Sequence, residues 1–308
     1  MKAMKKLIIP LFVALAYGPS QGLADPILGP DLASFAVLGA TTVTNVPTST
    51  IVGNVGVSAG EALPGFTFVA GTATTDPQVT SGLVQSNTAV AIAGQAQLTT
   101  ARLNLGGLGP GTLLPVDLTG LTIFPGVFTV PAGTSNLTGA VTLDGLGNAN
   151  AFWLFLTDGL TTSSGSVVNV INAGNGAGVF WNDASSVTLG STTSFQGNIL
   201  ALTSIALIDN ATIGCGRALA DTGQVTLISN TIGAICAAGT AGEGSNGWGG
   251  SGLEFTSGGV FDTAGDTFVN RPGTFVGAAA VPEPGTLVLF GFGLAGLFAF
   301  RKSLFPVA

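Results

Sequence analysis

A chain of 308 residues without one histidine lacks the commonest general acid–base group and the commonest metal ligand. The 15 acidic residues do not gather into an obvious site. Asp144, Asp158, Asp183, Asp209 and Asp221 fall at turns between apolar runs, where a carboxylate serves local backbone hydrogen bonds. Carboxylates that cleave polysaccharide, often on calcium, are the competing reading, but no calcium-binding nonapeptide repeat is present. Neither a nucleophile elbow nor a phosphate-cradling loop appears. The residues predict no enzyme, no cofactor and no metal. What recurs instead is hydroxyl and methyl chemistry: Thr161, Thr188 and Thr226 in one set, and Ser194, Thr212 and Thr231 in another. Threonine carries a methyl and a hydroxyl on one stiff β-branched stem, so an array of such side chains presents a rigid, uncharged surface. Threonine is also simply favoured on exposed strands, and Ala206 interrupts the first set.

The elements that hold these residues repeat. "GNILALTSIALIDNATIG" (197–214) and "GRALADTGQVTLISNTIG" (216–233) lie about 19 residues apart, and Gly178 opens another copy a further 19 upstream. A longer copy starts at Ala151, its extra length in the loop "NAGNGAG". Each copy holds three short β-prone runs. The first runs are Phe152–Leu156, Val179–Trp181, Asn198–Leu202 and Arg217–Ala220. The second are Leu160–Thr162, Val187–Leu189, Ile205–Leu207 and Val225–Leu227; the third end at Val168, Phe195, Ile213 and Ile232. One slipped residue separates the last two copies. Three strands per coil at a fixed period predict a mainly β fold, an irregular right-handed β-helix, because stacked coils bury a column that one coil cannot bury alone. A β-sandwich is the competing architecture.

Composition agrees with a secreted β-protein: 7% charged residues, 48 glycines and a net charge of −7. The few basic residues are scattered, which excludes a nucleic-acid partner. The second runs alternate apolar with Thr, so one face is buried and one is wet. The first runs are apolar at neighbouring positions and need a cover on both sides. "DPQVTSGLVQSNTAVAIAGQAQLTTARL" is the expected cover, a helix over about 76–103 with Asp76 as N-cap and Pro77 at the first helical position. Cys215 and Cys236 lie one coil apart, a spacing that stacked rungs bring within disulfide reach.

Both ends read as addresses. Residues 1–24 have a Lys-rich start, an apolar stretch from Leu7 to Ala16 and small residues at Gly22 and Ala24, the pattern of a signal peptide cleaved after Ala24. Residues 25–236 form the expected solenoid domain, and 237–280 a Gly-rich spacer in which Trp248 and Phe255 dock locally at most. Residues 281–308 contain Pro282-Glu283-Pro284, an apolar run Leu287–Phe300 of about 21 Å as a helix, and then Arg301 and Lys302. That run is short of the roughly 30 Å hydrocarbon core. The order of these three elements resembles the PEP-CTERM sorting signal. The resemblance implies an exosortase-type processing enzyme as partner, removal of the tail, and the outer surface of a Gram-negative bacterium or its surroundings as destination. Six residues trail the basic pair, more than the pattern usually carries.

The body resembles the ice-binding-like family of bacteria and fungi over residues 27–235. "FAVLGATTVTNVPTSTIVGNVGVSAGEALPGF" is similar to that family's first coil, "DLTGLTIFPGVFTV" to its strand after the helix, and "AFWLF", "LTTSSGS", "GNILALTSIAL" and "GRALADTGQVTLISNTI" to its last coils. The resemblance implies an irregular β-helix with one long α-helix along one face. It also implies that the first coil need not stand first in space. Two functions stay open: adsorption to an ice crystal surface through the Thr/Ser columns, or a surface adhesin that uses the same solenoid on exopolysaccharide or biofilm matrix without ice affinity.

Overall fold

The computed structural model describes residues 26–256, 259–263, 269 and 271–277. The leader (1–24) and the sorting segment (281–308) lie outside the described residues. The chain winds into a three-sided β-solenoid whose sides are built mainly of parallel strands, and the central rungs contribute one strand segment to each side.

The helix-covered side contains, in spatial order, Thr112–Leu113, Gly126–Val130, Phe152–Thr157, Gly178–Asp183 and the second half of Ser194–Ala201. It continues through the second half of Thr212–Ala220, then Phe35–Gly39, Asn54–Val57 and Val84–Ser86. The first coil therefore stacks on the last. Val37 pairs with Ala218 and Leu38 with Leu219, and the growing solenoid continues through the N-terminal residues. The slipped residue shows in the register: Asn198 pairs with Arg217, nineteen positions on, and Ile205 with Val225, twenty on.

Glycine marks the corner that opens each of the two best-matched copies. Gly216 has φ +147°, and a Cβ there would stand 1.9 Å from the Gly197 carbonyl oxygen of the rung below. No other residue allows that approach. Inside the column, Phe128, Phe155, Trp181 and Phe195 pack in succession with ring centroids 5.5, 3.9 and 5.1 Å apart. The indoles of Trp153 and Trp181 donate to the carbonyls of Ile123 and Gln196, so each brings its polar atom into the core satisfied.

A second apolar cluster lies outside the column, where Phe35, Leu38, Phe152, Leu154, Phe180, Leu200 and Leu219 meet Ala91, Leu98, Ala101 and Leu105 of the helix. The helix spans Ala89–Gly106, with Thr88 as N-cap accepting from the Ala91 amide at 3.3 Å. It starts later than the 76–103 expected from sequence. Asp76 caps a turn, its carboxylate accepting from the Thr67 amide at 2.7 Å and the Gln78 amide at 2.8 Å. Val79–Thr80 and Val84–Ser86 then add a further rung. Positive φ at Ser81 and Asn87 and the β-branched Val79, Thr80 and Val84 suit that rung better than a helix. Along the helix, Arg102 pairs with Asp221 at 2.9 Å, and Gln95 and Thr99 bond the same corner.

The Gly-rich stretch is not a free spacer. Trp248 is buried in the solenoid core, its indole donating to Gln196 Oε1 at 3.2 Å and its carbonyl accepting from the Val179 amide at 3.0 Å. Leu253–Thr256 and Gly259–Asp262 form an antiparallel hairpin, from which Leu253 and Val260 enter the helix-side cluster. Arg217 locks this arrangement. Fully buried, it donates to the Ala33 carbonyl (2.7 Å), Asn198 Oδ1 (2.8 Å) and Asn246 Oδ1 (3.0 Å), tying the last coil to both terminal segments. No carboxylate is among the partners its hydrogen bonds reach, and desolvation lowers its pKa to about 10. Cys215 and Cys236 are disulfide-bonded, with Cα atoms 5.0 Å apart, clamping the last coil to the start of the docked segment.

Candidate functional site

The second side of the solenoid is a five-stranded parallel sheet in the order Leu160–Thr161, Val187–Leu189, Ile205–Leu207, Val225–Ile228 and Val43–Val46. Its inward positions, such as Leu160, Val187, Leu189, Ile205, Leu207, Val225, Leu227 and Val43, are buried. Its outward positions form an unbroken register column, Thr161–Thr188–Ala206–Thr226–Thr44, every member half-buried between its neighbours. Rungs about 4.8 Å apart make this column about 19 Å long, and next-but-one residues along a strand stand about 6.8 Å apart. Ile228 and Val46 pair beside it as an apolar edge. None of the outward side chains on these five strands is charged.

The third side holds the other column. Ser194 pairs with Thr212, Thr212 with Thr231, and Thr231 with Thr50. Thr231 and Thr50 are exposed, Ser194 and Thr212 half-buried. Below Ser194 the column continues as Val167 and Ala140, and a register shift after Phe195 breaks the plane. This side also carries Asp144, which caps the Leu146 amide and accepts from Asn172. The second side is thus the flatter and the less charged.

All six sequence-predicted Thr and Ser residues fall in these two columns, on adjacent sides rather than on one plane. Thr44 and Thr50 were missed. The signal for Thr44 was in "TTVTNV", which alternates like "VTL", and that for Thr50 in "TIV", which reads like "TIG", but only the stacking of the first coil on the last aligns them with the others.

The turn aspartates have structural duties. Asp183 is buried, accepts from Thr157 Oγ1 and the Ser185 amide, and has its pKa raised, chiefly by desolvation. Asp221 holds Arg102. Asp117 is desolvated too, yet four donors from Thr119 and Thr138 hold its carboxyl below the usual range. Among the described residues no three His, Cys, Asp or Glu side chains gather as a metal group, and no helix is long and apolar enough to cross a membrane.

A solenoid with one buried helix side and two small-residue, hydroxyl-bearing open sides defines a surface-binding protein rather than one built around a pocket. Comparison with known proteins gives that class a family. The ice-binding-like family model matches residues 37–233, and the chain belongs to that family. The ice-binding protein of Nostoc sp. strain HG1 is 41% identical over 205 residues, covering 66% of this chain and 72% of the relative. That of Flavobacterium frigoris is 33% identical over 216 residues, covering 65% and 73%. The crystal structure of an ice binding protein from an Antarctic biological consortium superposes with a TM-score of 0.58 at 29% identity, covering 74% of this chain and 96% of that one. The PEP-CTERM protein-sorting motif matches residues 280–303, marking a secreted, exosortase-sorted protein. The chain is not an enzyme.

Proposed function

We propose that this protein adsorbs to ice through the second side of its solenoid, with the Thr161–Thr188–Ala206–Thr226–Thr44 column at the centre and the Ser194–Thr212–Thr231–Thr50 column flanking it. The observation that carries the proposal is the unbroken register of the five-stranded sheet, which sets methyl and hydroxyl groups on a rigid repeat of about 4.8 by 6.8 Å with no charge among them. A charged side chain would hold its own water shell against the crystal. A β-branched one, fixed at χ1, loses little entropy on contact. Relatives named for ice binding support this reading over a matrix adhesin.

The leader is removed after Ala24, the tail is cut near Pro282-Glu283-Pro284, and the domain is delivered to the outer surface of a Gram-negative cell or its surroundings. Mass spectrometry of the exported protein tests this: a start at Asp25 and loss of residues 287–302 are expected, and an intact tail overturns the sorting step. The function itself is tested by growing single ice crystals in the presence of the purified protein. Shaped crystals and slowed recrystallisation at micromolar concentration are expected. Freely growing, unshaped crystals would leave the matrix-adhesin function in its place.

A further inference from the structure

A solenoid is a stack with two open edges, and an unpaired strand edge invites another chain. At the end beyond the Val84–Ser86 rung, the edge is met by Ala73–Thr74, running antiparallel to Val84–Gln85. The opposite edge, where Thr122–Ile123 ends its side and Gly126–Val127 runs past the short outer strand Thr112–Leu113, is met by residues 271–277, far along the chain and beyond the family match. Phe275 pairs antiparallel with Ile123 and Val276 with Thr122. The Phe124 amide donates to the Thr274 carbonyl at 2.9 Å and the Val127 amide to the Arg271 carbonyl at 2.7 Å. Thr112 Oγ1 donates to the Gly273 carbonyl at 2.6 Å.

The fit is built rather than incidental. A Cβ on Gly126 would stand 2.3 Å from the Gly273 Cα, and a Cβ on Gly273 would stand 1.9 Å from the Phe128 ring. Phe275 packs half-buried against the end of the core. The sorting motif begins at residue 280, three positions after Gly277, so the plug is the last element among the described residues ahead of that motif.

We propose that residues 271–277 are an intramolecular edge plug, and that the edge they cover is a self-pairing surface whose partner, once the plug is gone, is a second copy of this chain. The pairing sense selects that partner. At Thr122–Ile123 the edge already accepts an antiparallel strand, whereas at Val127 the bridge to Pro272 is parallel, and a two-fold axis through the Thr122–Ile123 part sets that edge antiparallel to itself.

The test uses the full chain in one detergent, so that any association through the tail is common to all samples. Wild type, Gly273→Leu and Phe275→Ser are compared by sedimentation and by amide exchange at Phe124 and Val127. The wild type is expected to be a monomer with both amides protected at every concentration. Both variants are expected to double in mass between about 1 and 100 μM, within the micromolar range of modest interfaces, with protection at those two amides rising alongside. Thr122→Cys should cross-link copies in the variant backgrounds and not in the wild type. Folded variants that stay monomeric with exposed amides overturn the self-pairing surface. Rapid or concentration-dependent exchange at Phe124 and Val127 in the wild type overturns the plug, whether or not either variant folds.

Discussion

Thr226→Tyr is the sharpest single probe of the proposed ice contact. Thr226 is fourth in the five-member column, with Ala206 and Thr44 as its rung neighbours. A tyrosine ring reaches a ring's length beyond a threonine methyl, and the sheet beneath it cannot bend to hide it. A gap of about 1 Å already forfeits a quarter to a half of a dispersion contact. The standoff therefore removes the contacts of the neighbours at about 4.8 Å on each side and of Thr188 at about 9.6 Å. Thr161, about 14 Å away, regains contact only if the plane tilts. Losing about ten atom contacts at about 0.15 kcal/mol each costs about 1.5 kcal/mol, a little over a factor of about ten in affinity. Stability should move by no more than about 0.5 kcal/mol, because the site is outward-facing and tyrosine is a good strand former. The assay is the protein concentration that halves ice recrystallisation, with thermal unfolding alongside. Thr226→Ser should do far less, since it keeps the hydroxyl. Thr231→Tyr reports on the flanking column, and Thr100→Tyr on the exposed helix surface is the control. If Thr226→Tyr inhibits as well as wild type while Thr231→Tyr or Thr100→Tyr does not, the wrong side has been chosen.

Arg217→Met should destabilise by about 2 kcal/mol in urea unfolding, since the buried Asn198 acceptor and the more open Ala33 and Asn246 acceptors lose their donor while one desolvated cation is relieved; a change below about 1 kcal/mol would show that the lock adds nothing. Gly216→Ala should cost upwards of about 2 kcal/mol, because its Cβ would meet the Gly197 carbonyl oxygen at 1.9 Å, and unchanged melting would contradict the tight corner. Asp76 and Asp117 both have folded pKa values below the usual aspartate value, held there by hydrogen-bond donors despite desolvation, so their contribution is full above about pH 4 and drains as pH falls through the folded values. The double variant Asp76→Asn/Asp117→Asn should show a flatter melting temperature between pH 5 and pH 3, and an unaltered slope would place the acid sensitivity elsewhere.

Periodicity was the legible part. The Gly-to-Gly spacing of about 19 residues, the Val-Thr-Leu alternation and the doubly apolar "FWLFL" determine, without coordinates, a stacked β-coil with one covered side and one wet side. They do so because a rung buries its apolar residues only against copies of itself, so the burial pattern must recur at the repeat length. The disulfide is legible for the same reason, two cysteines one coil apart. The start of the helix was not. Asp76-Pro77 reads as a helix opening, and what makes it a turn is the room for one more rung above Asn54–Val57, a fact of packing. Local propensity could not see that. Thr44 and Thr50 join the two hydroxyl columns only because the first coil stacks on the last, bringing Thr44 beside Thr226 and Thr50 beside Thr231 across most of the chain. The Gly-rich segment looked like a spacer because its composition lacks a period. Its order comes from partners supplied elsewhere: Gln196 for the Trp248 indole, Arg217 for Asn246, and Thr122–Ile123 for Phe275–Val276. Repetition along the chain is written in the sequence. Contacts between segments that resemble nothing else in the chain have no such signature, and only the folded structure decides them.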